Sequence, residues 1–98
     1  MAAYLIANIT VQDATVFEEY RAKVPSVISA YGGRYLVRGG ANEVVEGAFP
    51  GPRFVVLEFP DMAAARRFYH SADYAPLIAM RRGCTDSHVV LVEGMPPA

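Results

Sequence analysis

The stretch Arg53-Phe54-Val55-Val56-Leu57-Glu58-Phe59 decides the fold of this chain, because it is apolar on both of its faces. Its β-branched and aromatic residues are typical of a strand, and successive side chains of a strand point to opposite faces of the sheet. One face carries Val55, Leu57 and Phe59, and the other carries Phe54, Val56 and Glu58. A sheet covered on one face alternates apolar with polar residues, so this strand predicts a sheet with both faces covered.

The segments on either side of this strand predict the order β-α-β-β-α-β. Upstream lie a strand at residues 4–11, a helix between the N-cap Asp13 and Gly32, and a strand at residues 34–38. Downstream lie a helix at residues 62–70, a short helical segment at 74–82 and a strand at 88–93. Right-handed crossovers place both helices on the same side of the sheet. The prediction is therefore an α+β, ferredoxin-like fold, with a four-stranded antiparallel sheet and the helices on one face.

Proline and glycine predict three local features of these elements. Pro25 removes a backbone donor inside the first helix, which predicts a bend or two helical pieces. Gly39-Gly40 predicts a bulge or kink, after which residues 43–46 are expected to resume the second strand. Pro50-Gly51-Pro52 predicts the turn that leads into the decisive strand.

The composition predicts a single folded domain over residues 1–98, of which residues 94–98 form a tail. Apolar residues make up 53% of the chain and charged residues 19%, which excludes a disordered chain. The net charge of −1 comes without a basic block, which argues against nucleic acid or an acidic membrane surface as a partner. The single cysteine, Cys84, excludes an internal disulfide. With no signal peptide and no membrane-spanning run in the sequence, we expect a cytoplasmic protein.

Apolar residues on both faces recur in the first and last strands. Leu5 and Ile9 oppose Tyr4 and Ile6 in the first strand, and Val89 and Leu91 oppose Val90 and Val92 in the last. Two helices cover one face of the sheet. Because apolar surface costs about 25 cal/mol per Å² when left in water, a stable monomer with a bare second face is disfavoured. We therefore expect a homodimer in which the same sheet face of two subunits meets.

Several motifs together resemble a known family. They are Gly32-Gly33-Arg34-Tyr35-Leu36-Val37-Arg38-Gly39-Gly40, Val45-Glu46-Gly47, Phe59-Pro60-Asp61, Tyr69-His70-Ser71-Ala72-Asp73-Tyr74, Arg81 and Val90-Leu91-Val92-Glu93-Gly94. In this order, over nearly the whole chain, they resemble the domain of unknown function 1330 family. The resemblance implies a small bacterial cytoplasmic protein whose ferredoxin-like subunits pair into a dimeric α/β barrel. This chain has Phe68-Tyr69 where the family often has Trp-Tyr, which weakens a ligand-stacking role at this position.

Arg38 and Glu58 are the first two candidates for chemistry. Arg38 ends an apolar strand before two glycines, where its guanidinium could hold a carboxylate or another anion. Glu58 lies among apolar side chains, which could raise the pKa of its carboxyl and make it a catalytic base. The structural alternatives are an ion pair of Arg38 with Glu46 or Glu58, and of Glu58 with Arg38 or Arg53.

Four further candidates surround the break after the second helix, and a fifth lies on the first helix. The four are Tyr69, Ser71, Tyr74 and Arg81, which we expect to face a ligand at the rim of a cleft. The structural alternative is that Ser71, like Asp73, is a capping residue. Tyr20 lies on the apolar stripe of the first helix, so its hydroxyl could point into a cleft between helix and sheet or simply border the core.

Metal and nucleophile chemistry are disfavoured by the spacing. His88 and Asp86 share a strand face and His70 could join them, but nothing in the pattern requires a metal. Cys84 follows Arg81 and Arg82, which would lower the pKa of its thiol if they were close, but no base accompanies it. The sequence also has no phosphate loop or dinucleotide signature, so we expect neither a metal nor a cofactor.

Three functional hypotheses remain open. The first is a dimeric barrel that binds a small aromatic or acidic metabolite between helices and sheet, with cofactor-free chemistry in which Glu58 is the base. The second is a non-enzymatic, ligand-binding or stress-related dimer. The third is purely structural, with Arg38 and Glu58 in ion pairs and a cavity below ~100 Å³, smaller than ligand sites usually are. Barrels of this kind include cofactor-free monooxygenases, muconolactone isomerases, haem proteins similar to chlorite dismutase and stress-responsive proteins, but a shared fold does not carry a shared reaction.

Overall fold

A computed structural model describes residues 1–96 and confirms the ferredoxin-like fold. Its elements are β1 (Ala3–Val11), α1 (Ala14–Ala30), β2 (Arg34–Arg38), β3 (Arg53–Phe59), α2 (Met62–Tyr69), α3 (Ala75–Cys84) and β4 (Thr85–Glu93). The last strand begins at Thr85, earlier than predicted, because α3 passes into it directly. Pro97 and Ala98, which belong to the predicted tail, lie outside the described residues.

The strands form one antiparallel sheet in the order β2-β3-β1-β4. Leu5 of β1 lies opposite Leu57 of β3 and Leu91 of β4, so these side chains share the face that the helices cover. The apolar stripe of α1 packs on this face. The core includes Ala3, Leu5, Ala7, Ile9, Leu57 and Phe59 from the sheet, and Phe17, Val24, Ile28, Ala64, Ala65, Phe68 and Leu77 from the helices.

Helix α1 begins at its predicted cap and continues through its proline. The Asp13 carboxylate accepts hydrogen bonds from the Thr15 and Val16 amides. Pro25 lies inside one helix and does not divide it into two pieces. A proline frees the carbonyl four residues earlier, which here belongs to Arg21. That carbonyl accepts a hydrogen bond of 2.8 Å from Nη2 of Arg38, so a side chain of β2 replaces the missing amide.

The second strand ends earlier than the sequence predicts. Gly39 has a φ of +68°, and its amide donates a hydrogen bond to the Phe54 carbonyl. This positive φ turns the chain away from the sheet. The prediction that residues 43–46 resume the strand is therefore wrong, and they belong to an irregular loop over residues 39–52 in which Val45 is 89% exposed.

The irregularity of β2 lies inside the strand and not at the glycine pair. Tyr35 pairs with Leu57 and Val37 pairs with Val56, so the register shifts between Tyr35 and Val37. Such a bulge adds one residue on one strand and reverses the alternation beyond it. Tyr35 and Arg38 consequently both face the helices, although three positions separate them in the sequence.

The face of the sheet away from the helices is apolar and open to solvent. We call it the outer sheet face, and its apolar residues are Tyr4, Ile6, Leu36, Val37, Phe54, Val56, Val90 and Val92. Val90 is 52% exposed and Leu36 is 44% exposed. Phe49 of the 39–52 loop extends this surface, since its ring packs at 5.3 Å against Phe54. The face has no cover within the described chain, as the sequence analysis anticipated.

The 39–52 loop is tied to β1 by Asn8. The side-chain oxygen of Asn8 accepts from the Gly51 amide at 2.7 Å, and its Nδ2 donates to the Gly51 carbonyl at 2.8 Å. Both residues are buried. The backbone of Ile9 leaves no room for a side chain at Gly51. Asn8 therefore holds the end of the loop just before β3 begins at Arg53.

Candidate functional site

A cavity lies between α1 and the covered face of the sheet. Its walls are apolar and include Leu5, Ala7, Ile9, Phe17, Val24, Ile28, Val55, Leu57 and Val89. Its volume is about 40 Å³. This space holds about three water molecules. A larger ligand must therefore displace side chains on entry, and volume alone would favour the purely structural hypothesis.

The polar end of the cavity is formed by two tyrosines and an arginine. The hydroxyls of Tyr20 on α1 and Tyr74 before α3 form a hydrogen bond of 2.7 Å. Arg81 of α3 lines the same cavity and is 4% exposed. Its Nη2 donates a long hydrogen bond of 3.4 Å to the Tyr69 hydroxyl. Within residues 1–96, no carboxylate lies within salt-bridge distance of this buried guanidinium.

The Tyr20 hydroxyl is held in its neutral form. Burial raises the pKa of Tyr20 well above the usual 10, and the neighbouring Tyr74 raises the pKa further. Burial likewise raises the pKa of Tyr35. These hydroxyls therefore keep their protons at neutral pH, where they can donate or accept hydrogen bonds but do not act as bases.

The raised pKa of Tyr20 predicts a loss of stability in alkaline solution. Below pH 10 both the folded and the unfolded chain keep the Tyr20 proton. Above pH 10 the unfolded chain releases it first, so the free energy of unfolding falls by about 1.4 kcal/mol per pH unit from this residue. Urea unfolding of wild type and Tyr20→Phe, at pH 9 and pH 11, measures the effect. We expect the smaller decrease in Tyr20→Phe, and equal decreases would contradict it.

Three arginines surround the mouth of the cavity: Arg21, Arg38 and Arg53, which we call the mouth arginines. The Arg38 guanidinium stacks at 4.6 Å on the ring of Tyr35, and the Arg53 guanidinium lies 5.1 Å from the ring centre of Phe17. Nη1 of Arg21 pairs with the Glu18 carboxylate at 3.0 Å.

The mouth arginines are incompletely paired. The Nε atoms of Arg21 and Arg53 are buried and have no hydrogen-bond partner among the described residues. Burial lowers the pKa of Arg53, and the nearby charges of Arg21 and Arg38 lower it further. Positive charge is therefore concentrated at the mouth.

The structure brings together some of the predicted site residues and separates others. Tyr20, Tyr74, Arg81 and Arg38 line one cavity, and Tyr69 contacts it through Arg81. Ser71 serves the turn before α3, because its hydroxyl donates to the Phe68 carbonyl and accepts from the Tyr74 amide.

Glu58 does not belong to the cavity. It shares the outer sheet face with Val56, and its carboxylate pairs with Arg34 at 2.8 Å. The anticipated ion pairs of Glu58 with Arg38 or Arg53 are therefore wrong, because a strand's alternation sends Glu58 and the cavity residue Leu57 to opposite faces. A base role for Glu58 in this cavity loses its geometric basis.

Arg21, Arg53 and Tyr35 are the cavity residues that the sequence analysis missed. Arg53 could have been found, since it alternates in phase with Val55 and Leu57 of the buried face. Tyr35 and Arg38 share the cavity only because of the bulge between them, and no residue type in β2 predicts that bulge. Arg21 borders the apolar stripe of α1 and gives no signal of its own.

A family model now joins these observations. It is the model of a domain of unknown function, DUF1330, and it matches residues 2–95. This chain belongs to the DUF1330 family. No curated protein matches the sequence.

Solved structures share the fold of this DUF1330 chain at low sequence identity. A protein of unknown function from Rhodopseudomonas palustris is 15% identical, with a TM-score of 0.77 over 98% of this chain and 84% of that one. SnoaB from Streptomyces nogalater, a cofactor-independent oxygenase, is 16% identical, with a TM-score of 0.66 over 98% and 95%. A dimeric ferredoxin-like protein from Jannaschia is 13% identical, with a TM-score of 0.65 over 96% and 100%.

The remaining candidates of the DUF1330 chain do not gather into a site. Within residues 1–96, no three His, Cys, Asp or Glu side chains come together as metal ligands. Cys84 is buried; burial and the nearby Asp13 raise the pKa of its thiol and outweigh the lowering by Arg81. None of the helices in this part of the chain has the length and hydropathy of a membrane span.

Proposed function

We propose that this DUF1330 protein is a homodimer that binds a small aromatic or acidic metabolite in the cavity of each subunit. The dimer forms through the outer sheet face, whose apolar residues have no other cover in the described chain. The dimeric ferredoxin-like protein from Jannaschia supports this arrangement by its shared fold. The cytoplasmic location expected from the sequence belongs to the same proposal.

The main evidence for an anionic ligand is that the guanidinium of Arg81 is buried without an anionic partner among the described residues. A guanidinium that is 4% exposed needs an anionic partner, because burying a charge without one is costly. Its neighbours are hydroxyls: Tyr69 accepts from it at 3.4 Å, and Tyr74 also favours the charged guanidinium and raises its pKa, but neither is an anion at neutral pH. A ligand oxygen that carries negative charge would pair with Arg81 beside the Tyr20 and Tyr74 hydroxyls. The apolar walls would then hold a ring or a short apolar body.

Binding without turnover is the function that the lining residues support best. No carboxylate, imidazole or thiol is among the described residues that line the cavity, so it offers no obvious base. Turnover without a cofactor is a second candidate. In its favour, Arg81 and two hydroxyls in an apolar cavity could stabilise an oxyanion that forms on a ligand. SnoaB, which has the same fold, is a cofactor-independent oxygenase.

The test is a ligand screen with wild type and Arg81→Met. Benzoic, phenolic and short aliphatic acids are added one by one, and binding is measured by calorimetry. We expect an acid that binds wild type at least tenfold more tightly than Arg81→Met, because a hydrogen bond to a charged group contributes about 1.5–3 kcal/mol. The melting temperature of Arg81→Met is expected to stay level or rise, since an unpaired buried charge is removed.

Arg66→Met is the matched control, because Arg66 is exposed on α2 and does not line the cavity. Equal binding of every acid by wild type and Arg81→Met would remove the proposed role. Any acid that binds is then incubated with the protein in air and followed by mass spectrometry. An unchanged acid supports binding alone, whereas a product supports turnover.

A further inference from the structure

The mouth arginines carry more positive charge than the surrounding residues balance. Arg21, Arg38 and Arg53 contribute three guanidinium groups to one cavity. Among the described residues, Glu18 is the carboxylate that pairs with one of them, and its side chain is 67% exposed. The arrangement therefore leaves about two positive charges to be matched from outside the chain.

Two of the guanidinium groups rest on aromatic rings, which occupy their faces and not their N–H edges. Arg38 rests with its face on Tyr35 and uses Nη2 for the Arg21 carbonyl. Arg53 rests near the ring of Phe17 and against the backbone at Gly39, where a side chain would overlap the guanidinium. Stacking uses the face of a guanidinium and leaves its in-plane donors free for acceptors.

Two of these donors are buried without a partner. Nε of Arg21 and Nε of Arg53 make no hydrogen bond within the described chain. Buried donors without acceptors cost about 1–3 kcal/mol each and are rare in folded proteins. They belong to two elements, α1 and β3, that converge on the same cavity. An oxygen-rich anion that displaces the side chains now covering these atoms would accept from both.

We infer that Arg21, Arg38 and Arg53 form a binding site for a doubly charged oxyanion, such as a phosphate group or a pair of carboxylates. Two excess positive charges match a dianion better than a single carboxylate. Several fixed donors also suit a group with three or more acceptor oxygens. The inference deepens the proposed function and rests on it in one respect, namely that the dianion is the outer group of the cavity ligand.

The test uses small anions and needs no knowledge of the cavity ligand. Inorganic phosphate, malonate and acetate are titrated into the protein by calorimetry at pH 8 and constant ionic strength. We expect saturable binding of phosphate or malonate, at least tenfold tighter than acetate. Phosphate above malonate identifies a phosphate-type group, and the reverse order identifies a dicarboxylate.

Arg53→Gln and Arg21→Gln are the test variants, and Arg67→Gln is the control with the same change of charge on an exposed residue of α2. We expect each test variant to weaken dianion binding at least tenfold, and Arg67→Gln to change it less than twofold. Arg21 is only half-buried on α1, so Arg21→Gln still tests the site if Arg53→Gln does not fold.

Two results would overturn the inference: no saturable dianion binding by wild type, or equal weakening by Arg67→Gln and the folded test variants. The same experiments distinguish failure of this inference from failure of the proposed function. If an acid binds in the cavity through Arg81 but no dianion binds, the inferred dianion site is refuted and the proposed function stands. If a dianion binds through Arg53 but none of the screened acids binds in the cavity, the proposed function is refuted and the dianion site stands.

Discussion

Asn8→Ala is expected to lower the free energy of unfolding by about 2–5 kcal/mol. The side chain accepts from the Gly51 amide and donates to the Gly51 carbonyl, and both residues are buried. Alanine leaves the Gly51 amide and carbonyl without hydrogen-bond partners at a buried position. Each such group costs about 1–3 kcal/mol. Urea unfolding followed by circular dichroism measures the change.

Asn42→Ala is the matched control for this prediction. Asn42 belongs to the same loop and donates one hydrogen bond, to the Pro52 carbonyl, but it is exposed. Its replacement is expected to cost less than about 0.5 kcal/mol, as surface substitutions usually do. Similar losses for the two variants would mean that Asn8 does not anchor the loop.

A pair of lysines on the outer sheet face is expected to convert the proposed dimer into a folded monomer. Val56 lies on β3 next to the central strand β1, and Val90 lies on β4. In Val56→Lys/Val90→Lys, association would bring four ammonium groups into an apolar contact, where an unpaired charge costs several kcal/mol. The dissociation constant should rise at least about a thousandfold, which corresponds to about 4 kcal/mol.

Analytical ultracentrifugation at micromolar concentration measures this effect. Wild type should sediment as two subunits and the double variant as one, with unchanged circular dichroism. Ala79→Lys is the control, because Ala79 is exposed on α3, which packs on the opposite face of the sheet. A monomeric wild type, or a double variant that keeps two subunits, would refute the proposed dimer.

The fold was predictable because its elements depend on local patterns. The alternation of β3, the cap at Asp13 and the apolar stripe of α1 each act within a few residues, and all are present in the structure. The error at residues 43–46 has a similarly local origin. Valines favour a strand, but Gly39 turns the chain away before a partner strand can pair with them.

The candidate site was predictable only in part, because its assembly depends on register. Choosing the covered face of β3 decides whether Glu58 or Arg53 enters the cavity, and a strand that is apolar on both faces does not reveal that choice. The bulge in β2 then decides that Arg38 enters it as well. Such features follow from the packing of the whole sheet and not from neighbouring residues.

The proline of α1 removes a helical hydrogen bond and at the same time provides a support for Arg38 of the proposed anion site. Pro25 leaves the Arg21 carbonyl free, and Arg38 uses that carbonyl as its support. A residue with an amide at position 25 would complete the helical hydrogen bonding and favour the fold. It would also compete with Arg38 for the same oxygen and loosen a guanidinium at the mouth. If the mouth arginines bind an anion as proposed, selection for stability and selection for tight binding favour different residues at position 25, a conflict common at functional sites.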